Sequence, residues 1–249
     1  MQWDQRGAGK SFGENTPVET TNVAQFISDA HALVEILRKR FNKEKIYLAG
    51  LSWGSYLGIL LAKRYPQLFS AYVGMGQIVD VQKAREITGT YLRAHAHEVG
   101  NQEALRDLEA KGRNAHETWL FAFGNELYDK TSWLPLLAAG LFSPQYTLHD
   151  VMNVAKGPQF SGKHMKYNAI KGEIMDEVTE FALPVCFFTG RYDYVTPTEL
   201  VWAYCEKLRA PRKQIVWFEH SAHFPFFEEP KKFTAEMLRV LEETRPPVH

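Results

Sequence analysis

The chain has 249 residues, of which 45% are hydrophobic and 13% aromatic, enough apolar side chains for one large domain with a substantial core. This composition excludes a mostly disordered chain. Lysine and arginine together number 29, and aspartate and glutamate also number 29, so the formal net charge is zero. A nucleic-acid or anionic-membrane partner usually requires a basic surplus, and we therefore expect neither.

Cysteine use and hydropathy narrow the class of protein further. Cys186 and Cys205 are the two cysteines, and neither lies in a spacing typical of a zinc site or a disulfide scaffold. We expect no metal and no other cofactor. No stretch approaches the roughly 18 apolar residues that a membrane-spanning helix needs, and the first residues lack the pattern of an export signal. The sequence therefore predicts a cytoplasmic protein without a membrane partner.

Short apolar runs alternate with amphipathic segments along the chain. The runs predict strands at residues 45–50, 70–75, 184–189 and 214–218. Three- and four-residue apolar spacing predicts helices at residues 22–41, 56–64, 199–208 and 231–243. Continuously apolar strands that alternate with helices indicate a mostly parallel sheet covered on both faces.

Residues 77–180 interrupt this alternation. Periodic apolar residues predict helices at 84–98, 102–110 and 117–127, and no strand is predicted in the whole stretch. We interpret it as a helical cap inserted between two strands of one sheet. The predicted core domain then comprises residues 1–76 and 181–249, with the cap at 77–180.

The most informative motif is Gly50-Leu51-Ser52-Trp53-Gly54, a GxSxG sequence. It follows a predicted strand and begins a helix, which is the setting of a nucleophile elbow that exposes a reactive serine. Gly50 and Gly54 are expected to flank the strained serine because a Cβ at either position would clash. The alternative is a glycine-flanked turn in which Ser52 caps the helix.

A serine nucleophile requires a histidine base and an acid that orients the histidine. Asp193 directly follows the predicted strand at 184–189, where functional groups of parallel sheets collect, and Asp80 is the second candidate. Two histidines follow the last strand, and we prefer His223 to His220 because the chain leads from it into the closing helix. The order Ser52, Asp193, His223 is that of the α/β-hydrolases.

These motifs resemble the proline iminopeptidase-like group of the α/β-hydrolase family. The resemblance is carried by residues 4–11 (DQRGAGKS), the elbow at 50–54, the GRYD segment at 190–193, and Ser221-x-His223 with Glu229. It implies an α/β-hydrolase fold with an inserted cap. It also implies a serine hydrolase that cleaves a small ester or an N-terminal, prolyl-type aminoacyl amide through an acyl-enzyme.

One departure from the family concerns the beginning of the chain. In that family about three strands and an HGGPG-like loop precede the DQRG segment, and this sequence begins at Met1-Gln2-Trp3. The chain is thus expected to be N-terminally truncated relative to the family, with the Trp53 backbone N–H as the remaining oxyanion donor. Loss of one such donor typically costs about 10²–10³ in rate. The alternative function is a non-catalytic relative that serves as a scaffold or binding protein. A homo-oligomer that covers the open sheet edge is compatible with either.

Weaker signals concern contacts with a small-molecule or short-peptide substrate. In aminopeptidase relatives, acids of the cap hold the free amine of the substrate, and the resemblance suggests Glu173 and Glu177 for this role. A solvated acidic helix face is the alternative. Phe224 belongs to an aromatic cluster beside the histidine loop, which either walls the substrate pocket or packs in the core.

Overall fold

The computed structural model describes residues 1–13, 15–130, 132–141, 143–164 and 174–245. The chain forms two compact units, a larger one of residues 40–131 and 171–249 and a smaller one of residues 1–39 and 132–170. The predicted core and cap divide the chain at other points, and that division stays a prediction.

The larger unit contains a sheet of four parallel strands in the order β1-β2-β3-β4. These are β1 (Ile46–Leu51), β2 (Phe69–Met75), β3 (Val185–Gly190) and β4 (Lys213–Phe218). Each predicted strand is confirmed to within one residue at either end. Because all four run in the same direction, the loops that follow them meet at one edge of the sheet.

The helices of the described residues come between and after these strands. They are α1 (Val23–Phe41), α2 (Trp53–Arg64), α3 (Val81–Glu98), α4 (Gln102–Lys111), α5 (His116–Ala122), α6 (Leu134–Leu141), α7 (Leu148–His164), α8 (Ile174–Glu177), α9 (Thr198–Lys207), α10 (Pro225–Glu228) and α11 (Pro230–Glu243). None of these described helices has the length and apolar character needed to cross a membrane.

The predicted helix at 117–127 is wrong at its C-terminal end. Helix α5 ends at Ala122, and Gly124 follows with a φ of 73°. The Asn125 N–H donates to the Leu120 carbonyl and the Gly124 N–H to the Phe121 carbonyl, the two bonds of a Schellman ending. The chain therefore turns away from the helix axis before residue 126.

The central strands form the core of the larger unit. Every residue of β3 is buried, as is nearly all of β2. One face of the sheet packs a cluster made of Ala71, Val73, Cys186, Phe188, Val216, Phe218 and Val240. Burial raises the pKa of the Cys186 thiol to about 12, as expected for a small apolar core residue.

The smaller unit contains the DQRG segment. The carboxylate of Asp4 accepts hydrogen bonds from the Tyr146 hydroxyl at 2.7 Å and from the Lys10 N–H at 3.0 Å. The Arg6 guanidinium donates two bonds of 2.8 Å to Asp29 on α1. Within its own unit, this segment is therefore held in shape by charged side chains.

Replacing Phe188 by alanine tests the core. The ring is fully buried and packs against Phe218 and Phe233, so Phe188→Ala should lower the free energy of unfolding by about 3–5 kcal/mol. Denaturant titration measures the loss. Phe41→Ala removes the same ring from a side chain that is 58% exposed and should cost much less, and equal losses would contradict this core assignment.

Candidate active site

Ser52 lies between β1 and α2 in a strained backbone conformation, with φ 51° and ψ −118°. Its N–H donates to the Met75 carbonyl at 2.9 Å, which fixes the turn against the end of β2. Within the described residues its side chain makes no capping hydrogen bond to α2, which weighs against the helix-cap alternative. Such a conformation typically costs about 1–3 kcal/mol and is concentrated at functional sites.

The two glycines of the motif differ in their steric constraint. A Cβ at Gly50 would lie 2.2 Å from the Gly54 carbonyl oxygen, so only glycine fits there. A Cβ at Gly54 would meet no described atom within 4 Å, apart from its own helix backbone. The expected clash therefore applies to Gly50 and not to Gly54.

Asp193 and His223 are joined by a buried hydrogen bond. His223 Nδ1 lies 2.9 Å from Asp193 Oδ2, and the two side chains are 4% and 1% exposed. The carboxylate also accepts from the N–H groups of Val195 and Thr196, both at 2.9 Å, and from the Thr196 hydroxyl at 2.7 Å. With Nδ1–H bound to the carboxylate, Nε2 of the neutral ring carries the free lone pair.

The ionisation of His223 reflects opposing effects. Burial alone lowers the pKa of the imidazole, but the negative charge of Asp193 and the bond to it raise the pKa. The negative charges of Glu126 and Glu228 also raise the pKa, and together these groups outweigh burial, so the pKa of His223 is raised. The ring therefore holds its proton to a higher pH than an ordinary histidine.

The loop after β2 connects the serine turn to this pair. Ser55 Oγ lies 2.6 Å from the Ser52 carbonyl oxygen and 3.3 Å from that of Gly76. Gly76 has a φ of 47°, and a Cβ there would lie 2.6 Å from Cε1 of His223. The histidine ring thus packs against the same short loop that supports the serine turn.

The rejected alternatives have other partners. Asp80 caps α3, where its carboxylate accepts the Lys83 N–H at 2.9 Å and pairs with the Lys83 ammonium at 3.1 Å. His220 is exposed, and its N–H donates to Glu229. Among the candidates, only Asp193 and His223 contact each other in the described residues.

The remaining predicted residues lie around this pair or outside the described chain. Trp53 begins α2 directly after Ser52, and its ring stacks on Tyr56. The Phe224 ring packs edge-on against His223, with 5.2 Å between centroids. Glu177 is exposed at the end of α8, where its carbonyl accepts a bond from Lys63. Glu173 lies outside the described residues.

A cavity of about 600 Å³ opens at Ser52 within the larger unit. Its walls come from the loop after β2, from α3 and α5, and from Glu126 and residues 195–197. Neither Phe224 nor Glu177 is among the described residues that line it. Its volume is in the range of about 300–1,000 Å³ that is usual for small-molecule sites.

Sequence reasoning missed Glu126, a partly buried acid on the wall of this cavity. Burial raises the pKa of its carboxyl to about 7, with smaller effects from neighbouring charges. Its backbone carbonyl accepts the N–H of His223 at 3.1 Å. The signal that was available is Gly124, which ends α5 and directs the next residues towards His223.

Glu228 is a second missed residue, and it organises the histidine loop. Its carboxylate accepts the N–H groups of Ala222 at 3.1 Å, of Phe224 at 3.0 Å and of Tyr128. Burial raises the pKa of Glu228, although these bonds oppose the rise. Two of the three donors flank His223, so the carboxylate holds both sides of the histidine.

The described residues contain no group of three or more histidine, cysteine, aspartate or glutamate side chains arranged to hold a metal ion.

Comparison with known proteins identifies the relatives of this chain. The family model "Serine aminopeptidase, S33" matches residues 1–121. A probable aminopeptidase of Bacillus subtilis, YbaC, is 27% identical, with the match covering 96% of this chain and 78% of that protein. Proline iminopeptidase of Heyndrickxia coagulans is 25% identical over 94% of this chain and 77% of its own. The crystal structure of proline iminopeptidase from Mycobacterium smegmatis superposes with a TM-score of 0.67 at 16% identity, covering 97% of this chain and 78% of that one.

This chain has the fold of the α/β-hydrolases, and its sequence is similar to those of serine aminopeptidases of the S33 family. The predicted resemblance and the predicted fold class are confirmed. The matched relatives are longer than this chain.

Glu126 gives a prediction for stability. The folded-state pKa of about 7 lies above the usual glutamate pKa of 4.5, so the folded protein retains a proton that the unfolded chain releases between these two pH values. The neutral carboxyl of Glu126 contributes its full share of the free energy of unfolding below pH 4.5, the usual pKa. This contribution is lost as the pH rises through about 7. Glu126→Gln keeps the neutral form and should raise the melting temperature at about pH 8 and leave it nearly unchanged at about pH 5.

At about pH 8, Glu126→Gln should raise the free energy of unfolding by on the order of 1 kcal/mol, since the side chain is partly solvated. For a chain of this size, such a gain raises the melting temperature by about 2–4 °C. Thermal melting followed by circular dichroism measures it. Glu242→Gln removes the same charge at an exposed position and is the matched control. The same shift of Glu126→Gln at both pH values would contradict the assignment.

Proposed function

We propose that this chain is a serine hydrolase that cleaves an N-terminal aminoacyl amide or a small ester through an acyl-enzyme. The observation that carries the proposal is the buried 2.9 Å hydrogen bond between Asp193 and His223. His223 packs against the loop that supports the strained turn of Ser52, and Ser52 lines the cavity. The relatives named above are aminopeptidases and iminopeptidases, which supports the same class of reaction.

In the proposed reaction, Ser52 Oγ attacks the substrate carbonyl carbon and gives its proton to Nε2 of His223. Asp193 keeps the imidazole in the required tautomer and stabilises the imidazolium that forms. The Trp53 N–H, in the first turn of α2, donates to the developing oxyanion. The imidazolium then protonates the leaving amine or alcohol, and the ester bond to Ser52 remains.

A water molecule then hydrolyses the acyl-enzyme, with His223 acting again as base and then as acid. His223 removes a proton from the water, whose oxygen attacks the acyl carbon, and the second tetrahedral intermediate releases the acid and restores the serine hydroxyl. Because the same imidazole acts first as base and then as acid, its contact with Asp193 matters in both steps.

Glu126 favours the aminoacyl amide over the neutral ester. Its carboxyl lines the same cavity as Ser52, and a substrate ammonium close to it would lower its pKa and pair with the carboxylate. We therefore assign to Glu126 the contact with the amine that the family resemblance suggested for Glu173 and Glu177.

Labelling with a fluorophosphonate probe tests the proposed catalytic serine. Such probes react rapidly with a serine that a histidine activates beside an oxyanion site. We expect the label on Ser52, located by peptide mass mapping, and its loss in Ser52→Ala and His223→Ala. Asp193→Asn should slow the reaction by about 10³–10⁴-fold because the tautomer is no longer fixed.

His220→Ala is the matched control, because it removes a histidine of the same loop that is exposed and bonded elsewhere. This variant should label like the natural protein. Circular dichroism establishes that each variant is folded. A folded protein without label, or equal labelling of His223→Ala, would favour the non-catalytic scaffold instead.

The pH dependence of labelling gives a second test. His223 accepts the serine proton only when neutral, and its pKa is raised above the usual histidine value of 6.5. The rate should therefore rise with pH around a midpoint above that value. Glu126→Gln removes one negative charge that raises the pKa of His223, so the midpoint should shift to lower pH. A midpoint that does not move would show that the charge of Glu126 does not affect the pKa of His223.

A further inference from the structure

We propose that the substrate carries a carboxylate that Arg85 and Arg113 bind at the mouth of the cavity. This inference rests on the proposed function and narrows its substrate class. A dipeptide with a free C-terminal carboxylate has the required charge, and so does a half-ester of a dicarboxylic acid.

Arg85 belongs to the face of α3 that lines the cavity. Val81, Ala84, Arg85 and Thr88 all line it, at the three- and four-residue steps that place side chains on one helix face. The described polar and charged neighbours on the other faces of α3 do not line the cavity. Gln82 and Glu86, for example, bind each other at 2.9 Å. The position of Arg85 is therefore set by the helical repeat.

Arg113 lines the cavity from a different element. It belongs to the 3₁₀ turn Gly112–Ala115, which precedes α5 and also lines the cavity. Arg85 and Arg113 are both exposed, as expected for the mouth of a cavity. Among the described residues, neither guanidinium has a hydrogen bond or an ion pair with a carboxylate. Their donors are thus available to a ligand.

Several other arginines of the described residues are already paired with carboxylates. Arg191 forms two bonds of 2.8–2.9 Å with Glu219, and Arg239 binds Glu236 at 2.6 Å. A planar guanidinium that is left unpaired beside a cavity offers the bidentate geometry that suits a carboxylate.

The residues that line the cavity carry charges of both signs. Among its exposed lining residues, the guanidinium groups of Arg85 and Arg113 outnumber the carboxylate of Glu117, and Asp80 is already bound by Lys83. His116 adds no positive charge at neutral pH because burial, together with Arg93 and Arg85, lowers its pKa. Glu126 lines the same cavity and lies beside the loop of His223.

A zwitterionic dipeptide matches these opposite charges. Its ammonium group would approach Glu126, its carboxylate would reach Arg85 and Arg113, and the peptide bond would lie between them near Ser52. Complementary charges of this kind determine which ligand binds and in which orientation. The arginines therefore act on specificity and orientation and take no part in proton transfer.

The first experiment compares kcat/KM for L-alanyl-L-alanine with kcat/KM for its C-terminal amide. The natural protein should prefer the free carboxylate by roughly 10-fold, since bonds to charged groups at a solvated mouth have moderate strength. In the double variant Arg85→Gln/Arg113→Gln the ratio should fall close to one. Arg106→Gln removes a positive charge from an exposed position on α4 that does not line the cavity, and its ratio should stay that of the natural protein.

A parallel comparison distinguishes the side on which the carboxylate lies. The p-nitrophenyl half-ester of glutaric acid carries it on the acyl group, and p-nitrophenyl butyrate is its neutral counterpart. If the charged member is preferred only within the dipeptide pair, the arginines contact the leaving group. If it is preferred only within the ester pair, they contact the acyl group. A natural protein without preference in either pair, or a preference that survives in the double variant, would overturn the inference.

A binding measurement separates this inference from the proposed function. Calorimetric titration of Ser52→Ala with L-alanyl-L-alanine and with its amide needs no turnover. Roughly 10-fold tighter binding of the free carboxylate, lost when Arg85→Gln and Arg113→Gln are added, supports the carboxylate site even if fluorophosphonate labelling fails. Equal binding of the two ligands overturns it even if labelling succeeds.

Discussion

The buried carboxylate of Asp193 is the constraint on which the rest of the site depends. An ionised carboxylate excluded from water costs several kcal/mol unless hydrogen bonds compensate for the lost hydration. Here two backbone N–H groups, one hydroxyl and the imidazole of His223 supply them. The same four bonds fix the turn after β3 and the orientation of the histidine, so the need to satisfy one charge arranges two loops.

The histidine loop is held from a second side by carboxylates that the proposed reaction does not use. Glu228 accepts the backbone N–H groups on both sides of His223, and Glu229 accepts from Ser221 and His220. A loop fixed by backbone hydrogen bonds keeps its imidazole in place while the proton moves. Preorganisation of this kind is what lets a site stabilise developing charge without rearranging.

The sequence predicted the parts of the molecule that depend on local pattern. Buried parallel strands are continuously apolar, so their positions can be predicted from the sequence. The residues that follow such strands meet at one edge of the sheet, and this argument pointed to Ser52, Asp193 and His223. Glu126 escaped this reasoning because a charged residue in an apparently periodic segment is normally assigned to a solvated helix face. Its burial depends on the early end of α5 at Ala122 and on packing against residues distant in sequence.

The contact between the Glu126 carbonyl and the His223 N–H has a consequence for engineering the chain. A backbone bond does not depend on the side chain, so a library that varies the identity of residue 126 can change the charge of the cavity while the histidine loop keeps its support. Insertions or deletions between Gly124 and Tyr128 would move the carbonyl itself. The side chain at this position can therefore change without moving the histidine loop, whereas the length of the segment is tied to the position of His223.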